Sequence, residues 1–292
     1  MCQQPSIPLI NHNIVFYGAG SMAEAIVRGM IDRSVISSDK IVMLNRSSTD
    51  RLAELRARYG VLASNDPAQR EEYLRTAPVI VLAMKPKDAA EALRALGPVL
   101  SPGQLIISVI AGLTIRTIQG LLGTPQPVIR TMPNTSSSIG LGATGIAFSK
   151  EVDETGRRLA LNIFEAVGLT SVIDEERMET LTGISGSGPA YIYYMMEAMI
   201  AGGIRGGLSA EQSAELTVQT VLGAARMVQQ TGEDPASLRK KVTSPNGSTQ
   251  AALEVLDKGE FFETVISAVN RCAERSREMG AALEKELMQS TD

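Results

Sequence analysis

Thr249 ends a run of small and turn-forming residues, Thr243-Ser244-Pro245-Asn246-Gly247-Ser248, and leads into Gln250-Ala251-Ala252-Leu253, which has helical character. A helix start of this kind aims unpaired backbone N–H donors and the positive end of the peptide dipoles forward, which suits a carboxylate. Asn246 and Gly247 tolerate positive φ and can hold successive N–H groups in one concave nest. The Thr249 hydroxyl sets a hydrogen-bonding group beside the anion. Ordinary N-capping of the next helix is the competing explanation for Ser244, Ser248 and Thr249. The basic run Arg239-Lys240-Lys241 just upstream reads either as added attraction for an acid or as a solvated helix end.

A second turn, Gly18-Ala19-Gly20-Ser21-Met22-Ala23, follows an apolar run and opens a helical pattern over residues 22–32. In this G-x-G-x-x-A arrangement the first glycine permits the tight turn and the second lets a pyrophosphate approach the backbone. The small Ala23 lets helix pack on strand, so the turn points to a dinucleotide. At the end of the second strand an NAD site expects an acid for the ribose 2′-hydroxyl, but this chain has Asn45-Arg46-Ser47. Those donors and a planar cation fit a 2′-phosphate, favouring NADPH over NADH. The bland alternative makes Arg46 a solvated loop cation. Two more strand ends, Ala83-Met84-Lys85-Pro86 and Ile110-Ala111-Gly112, fall where open α/β sheets bind ligands. Lys85 is there either a cofactor contact or a surface charge, and Asn134 either lines the nicotinamide pocket or makes an Asx-type turn. His12 is the one histidine in the chain. Alcohol and ketone chemistry usually wants a proton carrier at the oxygen. A cyclic imine can instead arrive already protonated and needs hydride and modest hydrogen bonding.

The elements that must position these groups divide the chain. Residues 13–17, 41–44, 79–83, 105–109 and 128–131 are compact Val/Ile/Leu-rich runs separated by amphipathic stretches such as 22–32 and 50–59. That alternation predicts a parallel sheet covered on both faces by helical crossovers. Residues 142–148 and 170–173 add edge strands around a helix at 152–167, and the sheet domain closes near Asp174. Helical patterns alone follow, at 189–203, 209–230, 249–258 and 260–280. The helix from Pro189 is apolar around most of its circumference, with Glu197 the main polar interruption. It is read either as a central core helix or, the favoured reading, as one shared between two subunits.

Composition bounds the rest. The chain has 292 residues, 44% of them hydrophobic and 21% charged, a globular balance with room for two domains. A net charge of −4 disfavours nucleic acid and anionic membranes as partners. Cys2 and Cys272 form no C-x-x-C, and a lone histidine excludes a His-rich metal site, so no metal is expected. The first ten residues lack a basic segment ahead of an apolar core, and no apolar run approaches the roughly 20 residues that span a bilayer. A cytoplasmic address is the expectation.

Four segments, in order, resemble the Δ1-pyrroline-5-carboxylate reductases of proline biosynthesis. They are the turn at residues 18–25, Ala83-Met84-Lys85-Pro86, Gly183-Ile184-Ser185-Gly186-Ser187-Gly188-Pro189-Ala190-Tyr191, and Val242-Thr243-Ser244-Pro245-Asn246-Gly247-Ser248-Thr249. The resemblance spans nearly the whole chain; its last two segments are specific, whereas the first is shared with many dehydrogenases. It implies an oxidoreductase that transfers hydride from NADPH, or less favourably NADH, to the cyclic imine of 1-pyrroline-5-carboxylate, giving L-proline. It implies an N-terminal Rossmann domain over residues 1–174 that carries the cofactor. An all-helical dimerisation and substrate domain follows over 175–292, with the imino acid between the two, in a homodimer or larger homo-oligomer. The substrate carboxylate falls to N–H groups of Gly247, Ser248 and Thr249 in the loop that includes Asn246, and the Thr249 hydroxyl is the catalytic group facing the ring nitrogen. Gly18, Ala19, Gly20, Ser21, Met22, Asn45, Arg46, Asn65, Ala83, Met84, Lys85 and Ala111 fall at cofactor positions. Asn246 and Ser248 depart from the common Pro-Gly-Gly-Thr-Thr wording, a change that bears on affinity. A reductase of a larger ring such as piperideine carboxylate, or a non-catalytic nucleotide-binding relative, are the alternatives. A β-hydroxyacid dehydrogenase would need a lysine early in the second domain, and residues 184–203 hold none.

Overall fold

The computed structural model describes residues 10–289; Cys2 and the segment weighed as a leader lie outside them. Eight strands form one sheet in the order β3-β2-β1-β4-β5-β6-β7-β8. They are β1 (Ile14–Tyr17), β2 (Ile41–Leu44), β3 (Leu62–Ser64), β4 (Val79–Leu82), β5 (Leu105–Ser108), β6 (Val128–Met132), β7 (Gly142–Phe148) and β8 (Gly168–Val172). The helices are α1 (Ser21–Asp32), α2 (Thr49–Tyr59), α3 (Pro67–Thr76), α4 (Ala89–Leu96), α5 (Ile115–Leu122) and α6 (Glu154–Glu165). After them come α7 (Met178–Leu181), α8 (Gly188–Arg205), α9 (Ala210–Thr231), α10 (Pro235–Lys241), α11 (Ser248–Lys258) and α12 (Phe261–Gln289).

The expected sheet is present, with one reversal: β7 runs antiparallel to β6, pairing Ile129 with Phe148 and Met132 with Gly145. Residues 133–141 connect them, too short for the crossover that a parallel neighbour requires. Alternate residues of each strand supply two cores. Ile14, Phe16, Ile41, Met43, Val79 and Val81 pack with residues of α1, α2 and α6 on one face. Val15, Val42, Leu44, Ile80 and Leu82 pack with α4 and α5 on the other. Strands buried on both faces read as unbroken apolar runs, which is why their positions were legible.

The described chain forms two compact units, one comprising residues up to Gly186 together with those from Cys272 onward, the other Ser187–Arg271. The second is wholly helical, as expected. The last helix continues past Gly280 to Gln289, because the helix-favouring Ala281-Ala282-Leu283-Glu284-Lys285-Glu286 offers no stop signal. Of the two readings of the helix from Pro189, burial within its own chain fails: no residue of α8 is buried, and Tyr194 is 77% exposed.

Candidate active site

The turn after β1 sits where the strand order reverses, at the β1–β4 junction, the crevice in which open α/β sheets take ligands. Gly18 donates from its N–H to Leu44 O at 3.0 Å, and Ala83 donates to Tyr17 O at 3.0 Å, so the turn is pinned between the ends of β2 and β4. Gly18 has φ +121°, and a Cβ there would lie 2.5 Å from the Ala83 carbonyl. No other residue fits. Gly20 caps α1 from extended backbone, φ −77° and ψ 179°, without any side-chain cap. The first-turn N–H groups are thus left to a ligand or to solvent, a fit for a diphosphate.

In front of that turn lies a cleft of about 710 Å³. It gathers Gly18, Ala19, Gly20, Asn45, Arg46, Ala83, Met84 and Lys85 from the residues singled out in the sequence. Ser21 and Met22 are in the first turn of α1 rather than on the cleft wall. Asn65, after β3, donates to Thr49 Oγ1 at 3.0 Å, and Ala111 is exposed in the loop after β5. The Asn45 Oδ1 accepts from the N–H groups of Ser47 and Ser48 at 3.0 and 3.1 Å, so this side chain shapes the loop itself. Arg46 reaches Glu91 on α4, 3.1 Å away, with both side chains mostly exposed.

Sequence reading missed Arg51. Its Nε donates to Ala19 O at 3.2 Å, and its guanidinium pairs with Glu24 of α1 and, at 2.8 Å, with Glu54. It therefore ties α2 to the glycine-rich turn. Glu24 also accepts from Tyr59 Oη at 2.7 Å and pairs with Arg58 at 3.1 Å. Burial opposes the Glu24 charge, but the hydrogen bonds from Arg51 and Tyr59 and the nearby guanidinium charges outweigh it and hold this carboxyl below its ordinary range. The cleft wall also includes Tyr17, Arg70 and Lys87, which no motif or spacing singles out.

The second unit carries the other candidate anion site. Asn246 has φ +60°, and Gly247 caps α11 from extended backbone, φ −87° and ψ 170°. No side chain caps this helix, so ordinary N-capping by Ser244, Ser248 or Thr249 is not what the cluster does. Within the loop, Gly247 donates to Ser244 O at 3.0 Å and Asn246 donates to Gln250 Oε1 at 2.9 Å. The Gly247 N–H is therefore already engaged, and the forward donors are those of the first helical turn, from Ser248 and Thr249 onward. Thr249 is half-buried. Arg239, Lys240 and Lys241 form the last turn of α10, a helix end. α1 and α11 share a feature: each starts from an extended glycine with no side-chain cap, whereas α2, α3, α5, α6, α9 and α10 are capped by Ser, Asp or Thr.

Asn134 makes no Asx turn. Its Nδ2 donates to Ser185 O at 2.9 Å and its Oδ1 accepts from Ala143 N–H at 3.2 Å, fastening β7 to the π-helical turn Thr182–Gly186. His12 precedes β1 and belongs to neither anion site; burial lowers its pKa. Among the described residues no cluster of His, Cys, Asp and Glu could hold a metal.

Comparison with known proteins agrees with this arrangement. The family model described as pyrroline-5-carboxylate reductase dimerisation matches residues 175–279, and that of the coenzyme F420-dependent NADP oxidoreductases matches residues 13–112. Pyrroline-5-carboxylate reductase 1 of Bacillus spizizenii is 43% identical over 272 residues, 93% of this chain and 91% of that one. A structure of a pyrroline-5-carboxylate reductase from Coxiella burnetii superposes with a TM-score of 0.86 at 39% identity, covering 92% of this chain and 98% of its own. The Plasmodium falciparum pyrroline carboxylate reductase, whose structure has NADP bound, gives 0.83 at 31% identity, covering 94% and 100%. By these likenesses, which run through both units, the chain belongs to the pyrroline-5-carboxylate reductase family.

Proposed function

We propose that this protein reduces the cyclic imine of 1-pyrroline-5-carboxylate to L-proline, with NADPH as the preferred reductant and NADH the lesser one. Held there, a dinucleotide would supply the hydride for the imine carbon, and the ring nitrogen, carrying its iminium proton, would become the amine. The chain's residues hold and orient. The observation that carries the reading is the pair of helix starts left open by glycine. The α1 start, with the cleft residues Gly18, Ala19, Gly20, Asn45, Arg46, Ala83, Met84 and Lys85, suits the cofactor. Ser21, Met22, Asn65 and Ala111 complete the proposed cofactor set. The α11 start suits the substrate carboxylate, through the N–H groups of Ser248 and Thr249, with Asn246 and Gly247 shaping the turn that presents them. Thr249, half-buried beside those donors, is the proposed partner of the ring nitrogen. Preference for NADPH is supported by Arg46 and by the absence of an acid at residues 45–47.

A homodimer or larger homo-oligomer belongs to the same proposal, supported by the apolar surface of α8, α9, α11 and α12 exposed in one chain. Functionally, residues 1–174 are proposed as the cofactor domain and 175–292 as the dimerisation and substrate domain. No described helix is long and apolar enough to cross a membrane. With the net charge of −4, this supports a cytoplasmic enzyme without nucleic-acid or membrane partners. Following NADPH oxidation with pyrroline-5-carboxylate as acceptor tests the reading.

A further inference from the structure

We propose that Arg70, on α3, is the guanidinium that distinguishes the 2′-phosphate of NADPH from the 2′-hydroxyl of NADH, a step that rests on the cofactor preference proposed above. Arg70 lines the same cleft as Asn45, Arg46 and Ser47. Its Nε is buried without a hydrogen-bond partner. Buried polar groups in folded proteins are almost always bonded, so an orphaned guanidinium nitrogen inside a ligand cleft asks for a ligand oxygen. One terminal nitrogen lies 3.5 Å from Tyr17 Oη, and the guanidinium carbon stands 5.8 Å from the centroid of the Tyr17 ring. That contact steadies the group against the strand end that leads into Gly18.

The competing cations are committed elsewhere or differently placed. Arg46 is paired with Glu91, and Arg51 with Glu24 and Glu54. Lys85 and Lys87 are exposed on the β4 side of the cleft, flanking a short turn that also carries Asp88. Arg70 pairs with no carboxylate among the described residues, so unlike Arg46 and Arg51 it brings an unpaired guanidinium to the cleft. A planar fork with several donors matches a phosphate in a way an ammonium does not.

Michaelis constants for NADPH and NADH, measured with pyrroline-5-carboxylate for the wild type and for Arg70→Gln, Arg70→Lys and Arg46→Ala, decide the matter. Arg70→Gln is expected to raise the NADPH constant about tenfold to a hundredfold, the loss of one charge-assisted contact, and to shift the NADH constant by less than about twofold. Arg70→Lys recovers part of the loss, and Arg46→Ala produces the smaller change because Glu91 already offsets that charge. An equal rise for both cofactors, or none for either, overturns the assignment. Should Arg70→Gln not fold, Arg70→Lys alone decides: the proposal requires a selective, several-fold rise for NADPH. A wild type that prefers NADH overturns the cofactor preference and this inference together. An NADPH preference left undiminished by Arg70→Gln overturns Arg70 alone.

Discussion

At Thr249 a single hydroxyl stands beside a helix start that no side chain caps. If it partners the ring nitrogen, removing it costs a contact made as hydride arrives and leaves the cofactor cleft untouched. Thr249→Ala is therefore expected to lower kcat about tenfold to a hundredfold, with NADPH binding unchanged. Stopped-flow turnover beside cofactor titration checks this, and an undiminished rate removes Thr249 from the mechanism. The turn before α11 was legible in the sequence because Asn tolerates positive φ, and Asn246 does take φ +60°. The engagement of the Gly247 N–H by Ser244 O was not legible, since any residue can supply that carbonyl. Arg51 and Arg70 were hidden for a similar reason: an arginine on an exposed helix pattern looks like solvated charge until the fold shows what lies next to it.

The elements hold the nucleotide turn by electrostatics as well as packing. Glu24 on α1 gathers Arg51, Arg58 and Tyr59 from α2, and Arg51 reaches on to Ala19 O. The folded-state pKa of Glu24 is lowered, so its stabilising contribution is fully present above the ordinary carboxylate pKa and is lost as pH falls through the folded value. Glu24→Gln is expected to cost about 1–2 kcal/mol at pH 7, and the gap to the wild type should narrow as pH falls from the ordinary carboxylate pKa through the lowered folded value. Urea unfolding across that range checks it; a gap independent of pH would show that the carboxylate charge does not contribute. The strands were legible because two-sided burial writes continuous apolar runs, as at Val79–Leu82. The antiparallel turn of β7 was not, because strand direction depends on the length of the connection and on which neighbour is free.

Across the molecule, apolar side chains of the helical unit face outward from a single chain: Tyr194 on α8, Leu222 on α9, Val255 on α11 and Phe262 on α12 are all exposed. A monomer seldom leaves so much apolar surface open, and the proposed partner that covers it is a second copy. Sedimentation at micromolar concentration should show a dimer or larger species, and the double substitution Leu222→Asp with Phe262→Asp should weaken or abolish it. A folded wild-type monomer under those conditions would leave the exposed face unaccounted for. The sequence already pointed this way through the tyrosine- and methionine-rich helix from Pro189, whose apolar circumference exceeds what one small helical unit can bury. The proposed assignment that joins both sites gives the two glycine-capped helix starts to a dinucleotide and a small imino acid. It is tested most directly by the loss of NADPH absorbance when pyrroline-5-carboxylate is added to the purified protein. Stoichiometric conversion to proline is expected, faster with NADPH than with NADH; folded protein that binds NADPH yet forms no proline overturns the assignment.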